Sequence, residues 1–142
     1  MKKIKLIILI AFCFITFHSK TIAETSYFDT GKIFFDKKEF VNAKFQFQKD
    51  IVFNPKNEKS YLYLAKIFKS EKKVDLEEDN LNTVILLNPK NEEAVYMLAL
   101  LKIRQSNFEK VEELIKTLTK VCKKLCSSSK ELNSKLKNSI EQ

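Results

Sequence analysis

The sequence predicts an all-helical protein built from stacked copies of one unit. Its 142 residues include a single glycine, Gly31, and two prolines, Pro55 and Pro89, which are too few for a sheet protein rich in tight turns or for a glycine-rich phosphate loop. Each proline lies in an Asn-Pro-Lys-Asn-Glu stretch that separates two apolar runs. The interval between the two stretches, about 34 residues, is typical of stacked helical repeats. We therefore expect an α-solenoid in which these two stretches are connectors.

Residues 1–23 have the three parts of a secretory signal: early lysines, an apolar run over residues 6–17, and a polar segment that ends at Ala23. A helix over that run would be about 18 Å long, whereas the hydrocarbon layer is roughly 30 Å thick. We therefore expect cleavage after Ala23 and export to a bacterial periplasm. The bacterial source is inferred from the short lysine-led signal and from the preference for lysine over arginine. The alternative is an uncleaved anchor in the inner membrane that faces the periplasm, and only that alternative includes membrane contact.

Charge gives little support for nucleic-acid binding. The net charge of the chain is +8, but the signal removes four of the 26 basic residues and none of the 18 acidic ones, which leaves +4. In the remaining chain acids and lysines alternate instead of forming a basic block, as on solvated helix faces. We expect a protein or peptide partner, no nucleic acid and no cofactor.

Three copies of the unit follow the signal, over residues 24–57, 58–91 and 92–123. In the first copy, two sets of residues recur at helical spacing: Tyr27, Thr30, Gly31 and Phe34, and then Phe40, Ala43 and Phe47. Residues 36–38 are expected to form the turn between the two helices. Each copy is therefore predicted to be a helix-turn-helix pair.

Helix ends and the final element can also be read. Asn57 and Asn91 stand where an N-cap is expected, each followed by an acid in the first turn, and Ser106 is a third candidate cap. Residues 127–129, three serines, are expected to break the chain between helices. The last segment, residues 124–142, contains an apolar stripe of Leu132, Leu136 and Ile140 on a polar background, which predicts a capping helix over residues 130–141.

The pattern resembles the tetratricopeptide repeat. Its characteristic positions are occupied by Tyr27, Thr30, Gly31, Phe34, Ala43, Phe47 and Pro55 in the first copy, by Tyr61, Leu64, Ala65, Phe68, Val74, Leu81, Val84 and Pro89 in the second, and by Val95, Leu98, Ala99, Phe108, Ile115 and Leu118 in the third. Four residues depart from it: Thr30 replaces the usual leucine, Asp50 stands where alanine is preferred, and Glu77 and Val111 occupy the small-residue position of Ala43. Either the later helix pairs are wider, or the second helix of copy two is shifted by one residue.

The resemblance implies a function as well as a fold, because first helices in this family line a concave groove that binds a peptide or a partner's helix. Carried over by position, the groove residues are Phe28, Lys32, Phe35, Leu62, Tyr63, Lys66, Lys69, Tyr96, Met97, Leu100 and Ile103. Only Lys32 and Lys66 correspond to the family's clamp for a terminal carboxylate, and its asparagines are absent. We expect a non-catalytic adaptor that binds an apolar or acidic segment; the alternative is a homodimer or structural component that self-associates through the groove.

Catalysis has little support in the residues that follow the signal, because the only histidine, His18, lies within it. This excludes Ser-His and Cys-His pairs and the histidine-containing metal sites. Neighbouring acids such as Glu77 and Glu78 point in different directions on a helix, so no metal site is expected. Cys122 and Cys126 are expected to form a disulfide in an exported protein; free thiols and a redox-active pair are the alternatives. On a regular helix their Cα atoms would be about 6 Å apart, near the upper limit for a disulfide, and the bridge would be strained. A bend or break at residues 123–125 would relieve that strain.

Overall fold

A computed structural model describes residues 26–141, and the predicted signal lies outside them. This part of the chain contains seven α-helices and no strand: α1 (Tyr27–Asp36), α2 (Phe40–Phe53), α3 (Glu58–Ser70), α4 (Val74–Leu87), α5 (Glu92–Arg104), α6 (Phe108–Val121) and α7 (Cys126–Ile140). Each helix packs against the next one in the chain, and α7 also packs against α5. The predicted all-helical solenoid is confirmed. No helix within residues 26–141 has the length and apolar character needed to cross a membrane.

The helix pairs keep one register. The second helices begin at Phe40, Val74 and Phe108, at a constant interval that equals the one between the two prolines, so α4 has no one-residue shift. The acid at the small-residue position, Glu77, is 1% exposed, and its carboxylate accepts a hydrogen bond from Arg104 of the next pair at 2.8 Å. The departure from the repeat pattern is therefore accommodated by an ion pair between α4 and α5.

The first helix of each pair ends in the same way. Lys38, Lys72 and Ser106 have positive φ angles of 63°, 57° and 55°. After α1, the Lys38 N–H bonds to the Phe35 carbonyl and the Glu39 N–H to the Phe34 carbonyl, which is the Schellman arrangement; the two later turns repeat it. Glycine usually occupies this left-handed position. The sequence therefore did not indicate this motif, since none of the three residues is glycine.

Two of the three predicted N-caps are confirmed. The side chain of Asn57 accepts the Lys59 N–H at 3.3 Å, and that of Asn91 accepts the Ala94 N–H at 3.0 Å. The prediction for Ser106 is wrong, because this residue takes the left-handed conformation that ends α5. Asn107 caps α6 instead, accepting the Lys110 N–H.

The capping helix begins earlier than predicted. Residues 127–129 lie in the first turn of α7, so the expected break there is wrong; the chain bends at residues 122–125 instead. Serine is tolerated within the helix because its hydroxyl can bond a carbonyl of the preceding turn, as Ser129 does with Cys126 at 2.8 Å. Leu132 and Leu136 are buried against the last pair, whereas Ile140 is 58% exposed and does not continue the buried stripe.

Candidate partner-binding groove

The first two helices of the groove, α1 and α3, meet through aromatic side chains. The Tyr63 ring lies edge-on to Phe28 and Phe35, with ring centres 5.7 and 4.9 Å apart, and 5.2 Å from the buried Phe47. Phe28, Phe35 and Tyr63 are all partly exposed. We call these three residues the aromatic cluster, and its open side is an apolar surface with a phenol.

Lysines surround the aromatic cluster. Lys66 Nζ lies 4.7 Å from the centre of the Tyr63 ring, and Lys59, which the sequence reasoning missed, lies 5.9 Å from that of Phe28. Such contacts are favourable because the ring face is electron-rich. Helical spacing could have indicated Lys59, since it stands four residues before Tyr63.

Two groove lysines also have acidic neighbours. Lys66 pairs with Glu93 of α5 at 2.8 Å, and Lys32 pairs with Asp36 at 2.7 Å. The hydrogen bond to Asp36 raises the pKa of Lys32. Lys69 is exposed on the same helix as Tyr63. The surface is therefore apolar with charges of both signs around it, and the net charge of those groups is positive.

Leu62 and Met97 do not line an open groove. Each is 7% exposed and belongs to the core formed by α3 to α7. Position in a repeat cannot distinguish a core residue of this kind from one that lines the groove. Their assignment as groove residues is corrected accordingly.

The capping helix occupies part of the third repeat's surface. The Tyr96 hydroxyl donates to the Glu131 carboxylate, with both oxygens at 3.1 Å, and burial and this acid raise the pKa of Tyr96. Leu100 and Ile103 are partly buried and line a cleft of about 380 Å³ beside Lys135 of α7. Among the predicted groove residues, the accessible apolar groups are therefore concentrated between α1 and α3.

A second cleft, of about 410 Å³, lies where α5 begins and the chain bends before α7; it is lined by Glu92, Glu93, Tyr96, Lys124 and Leu125. The Glu92 carboxylate accepts the backbone N–H groups of residues 123, 124 and 125 at 2.8, 2.9 and 2.7 Å. These bonds favour the ionised form, so the pKa of Glu92 is lowered, with the Leu125 N–H as the main cause. Glu92 was missed because its partners are distant in the sequence and follow the end of α6.

The cysteines lie on either side of this bend. Cys122 follows α6 and Cys126 opens α7, with their Cα atoms 5.1 Å apart. This separation is shorter than the one expected on a continuous helix, and the predicted bend is confirmed. It lies within the range that a disulfide requires.

The buried carboxylate of Asp50 has structural partners. Asp50, 3% exposed, accepts hydrogen bonds from the Ser60 hydroxyl at 2.5 Å and the Asn57 amide at 2.6 Å, which joins α2 to the start of α3. Within residues 26–141, no group of three histidine, cysteine or acidic residues could hold a metal ion.

Three antiparallel helix pairs in constant register, closed by a seventh helix, define an α-solenoid of the tetratricopeptide-repeat fold. The chain resembles the first TPR domain of Spaghetti (RPAP3), solved with the HSP90 peptide SRMEEVD: the TM-score is 0.71 at 15% identity, covering 82% of this chain and 91% of that one. It also resembles the TPR2B domain of yeast Sti1, solved with a pHsp70 partner: the TM-score is 0.66 at 19% identity, covering 80% and 92%. These likenesses show the fold. No protein-family profile and no curated protein matches the chain.

Proposed function

We propose that the protein is a non-catalytic interaction module that binds a peptide or partner segment across the concave surface between α1 and α3. The observation that carries this proposal is the partly exposed aromatic cluster of Phe28, Phe35 and Tyr63 with lysines at its edge. Aromatic side chains supply contact area at low entropic cost, and lysines attract acidic groups. The two similar structures contain TPR domains with bound peptide or protein partners, which supports the same use of this fold.

The partner we propose is a segment with apolar and acidic residues. Lys59 and Lys66 lie over rings of the cluster, and Lys32 and Lys69 lie on the same two helices. Because the clamp asparagines of the family are absent, recognition of a free C-terminal carboxylate is not part of the proposal. Contact with side chains along the segment is expected instead.

A displayed random-peptide library provides the test. We expect the selected peptides to combine aromatic or aliphatic residues with Asp and Glu, and to bind more weakly as salt is raised. The double charge reversal Lys32→Glu with Lys69→Glu should weaken binding by about tenfold or more, since it reverses the charge beside the cluster. Neither side chain is buried, so the helical circular dichroism should be unchanged.

The matched control is Lys116→Glu with Lys120→Glu on α6, where both side chains are exposed away from α1 and α3. This control makes the same change in net charge and should retain peptide binding. If both double variants lost the same amount of peptide binding, the effect would come from the change in net charge and not from the groove. Selected peptides that bind the groove variant as tightly as the parent would remove the groove from the proposal.

We also propose that the module works in the bacterial periplasm as an adaptor of the cell envelope, exported through residues 1–23. N-terminal sequencing of the protein from the periplasmic fraction should begin at Glu24. Protein that starts at Met1 and stays with washed membranes would instead favour the inner-membrane anchor.

A bridge between Cys122 and Cys126 is the third part of the proposal. It would hold the bend between α6 and α7 at a Cα separation of 5.1 Å. Thiol titration of the denatured exported protein should detect no reactive thiol before reductant and two afterwards. Two thiols without reductant would refute the bridge.

A further inference from the structure

The two ends of the solenoid differ in what they expose. At the C-terminal end, α7 buries Leu132 and Leu136 and turns residues such as Lys130 and Lys137 to solvent. At the other end, no helix within residues 26–141 covers the outer side of α1 and α2. A terminal repeat needs a polar outer face to stay soluble alone. Exposed apolar residues on the first repeat would therefore indicate that another surface covers them.

The first repeat exposes five large apolar side chains, which we call the N-terminal apolar patch: Tyr27 (38% exposed), Val41 (76%), Phe45 (54%), Val52 (75%) and Phe53 (70%). They form one surface. Val41, Phe45 and Val52 lie on one face of α2 by their spacing of four and seven residues. The Tyr27 and Phe53 rings stack with centres 5.4 Å apart, and Lys49 lies over both Tyr27 and Phe45, at 5.4 and 4.6 Å.

The repeats themselves supply the comparison that makes the patch informative. At the positions equivalent to Val41 and Phe45 in the next two repeats, the exposed residues are Asp75 and Asp79 in α4, and Glu109 and Glu113 in α6. The fold therefore accepts acids at these positions. The equivalents of Val52 and Phe53 in α4, Leu86 and Leu87, are apolar and exposed as well, so the difference between the helices lies at Val41 and Phe45. Apolar residues at these two positions are not required by packing within the solenoid, which points to a contact made by α2.

The size of the patch suits a contact between two copies. Taking about 200 Å² for an aromatic side chain, the exposed parts of the three aromatic residues amount to about 320 Å². The two valines, each about three-quarters exposed, bring the patch to roughly 500 Å². A twofold contact would cover the patch on both copies and bury about 1,000 Å² before its polar rim is counted, which is where specific interfaces begin. A twofold axis places the same surface on both sides, and an apolar patch is complementary to itself.

We propose that the N-terminal apolar patch is a dimer interface in which α2 of one copy packs against α2 of the other. This contact is separate from the concave surface between α1 and α3, so it leaves the aromatic cluster open. The dimer has two binding surfaces, which increases the avidity for a partner with two segments. It also places self-association on α2 instead of in the groove.

Light scattering after size-exclusion chromatography, over a range of loading concentrations, tests the proposal. The parent should reach a plateau at twice the mass of one chain. The variant Val41→Asp with Phe45→Asp gives α2 the residues that α4 carries at the same positions, and it should shift dimerisation to at least about tenfold higher concentration. Val52→Asp alone is the second variant, with the same expected direction.

The matched control is Leu86→Asp on α4, which occupies the position of Val52 in the next repeat and is 81% exposed. It should leave the dimer intact, as should the groove variant Lys32→Glu with Lys69→Glu. A parent that remains monomeric at every concentration overturns the proposal, since the patch is then covered by another segment or partner. A mass that grows beyond two copies overturns the twofold contact. A dimer lost in the groove variant but retained in both α2 variants assigns self-association to the groove and overturns the proposal.

Discussion

The carboxylate of Glu92 at the start of α5 accepts the backbone N–H of Leu125 at 2.7 Å, from the far side of α6 in the sequence. Together with the bonds from the N–H groups of Lys123 and Lys124, this contact holds the bend that directs α7 onto the last helix pair. One side chain thus accepts hydrogen bonds from three consecutive backbone N–H groups in the turn that precedes α7.

Replacing Glu92 by glutamine should lower stability near neutral pH and make it less sensitive to acid. The three bonds lower the pKa of Glu92 in the folded protein, so its contribution is present above the unfolded value of about 4.3 and is lost as pH falls through the lowered pKa. Thermal unfolding at a series of pH values measures this. The difference between parent and Glu92→Gln should shrink as pH falls below about 4.3.

The control for this prediction is Glu58→Gln. Glu58 occupies the position of Glu92 in the preceding repeat, but its carboxylate accepts only a side-chain hydrogen bond, from Asn88 at 3.3 Å. Glu58→Gln should therefore lose less stability at neutral pH than Glu92→Gln does. A Glu92→Gln protein that keeps the parent's midpoint at neutral pH would show that Glu92 does not hold the bend.

Asp50→Ala should destabilise the protein, although alanine is the residue that the repeat pattern prefers at this position. The substitution leaves the buried hydroxyl of Ser60 and the amide of Asn57 without their acceptor, at a cost of about 1–3 kcal/mol. Urea denaturation of Asp50→Ala, Ser60→Ala and the double variant gives the coupling. The double variant should lose less than the sum of the two single losses; strict additivity would contradict the pairing.

Gly31→Ala should also be destabilising, even though alanine is the better helix former by about 1 kcal/mol. A Cβ atom on Gly31 would lie 2.7 Å from Cε1 of the buried Phe47 ring, and relieving such crowding typically costs about 1–3 kcal/mol. The second repeat has Ala65 and Leu81 at these two positions. In a protein that already carries Phe47→Leu, Gly31→Ala should therefore lower the thermal unfolding midpoint by less than it does in the parent.

Lys72→Gly should stabilise the protein by about 0.5–1 kcal/mol, because glycine adopts a positive φ angle without the clash of a Cβ atom. Lys72 has a φ of 57° after α3. The neighbouring Lys73 has a φ of −89°, so Lys73→Gly should give no gain and serves as the control. A lower midpoint for Lys72→Gly than for the parent would show that the lysine side chain contributes more than the strain it causes.

The candidate site was predictable only in part. Position in the repeat identified Phe28, Phe35 and Tyr63, which do meet, because they lie on two first helices that contact each other. The same rule also selected Leu62 and Met97, which are buried, since the depth of a side chain depends on the size of the residues that face it. Ser106 and the serines at 127–129 were misplaced because hydroxyl side chains suit caps, turns and helix interiors alike.

Local sequence patterns thus determined the helical class, the repeat period and the three helix pairs. Residue type at the helix starts determined two of the helix caps. These features depend on spacing along one or two helices, which the sequence records directly. The tertiary structure decided which groove positions remain open, how Asp50 and Glu77 are paired, and where the chain bends before α7. These features depend on contacts between residues far apart in sequence. The partners of the buried acids, and the N–H groups that donate to Glu92, are brought into place only when the helices stack.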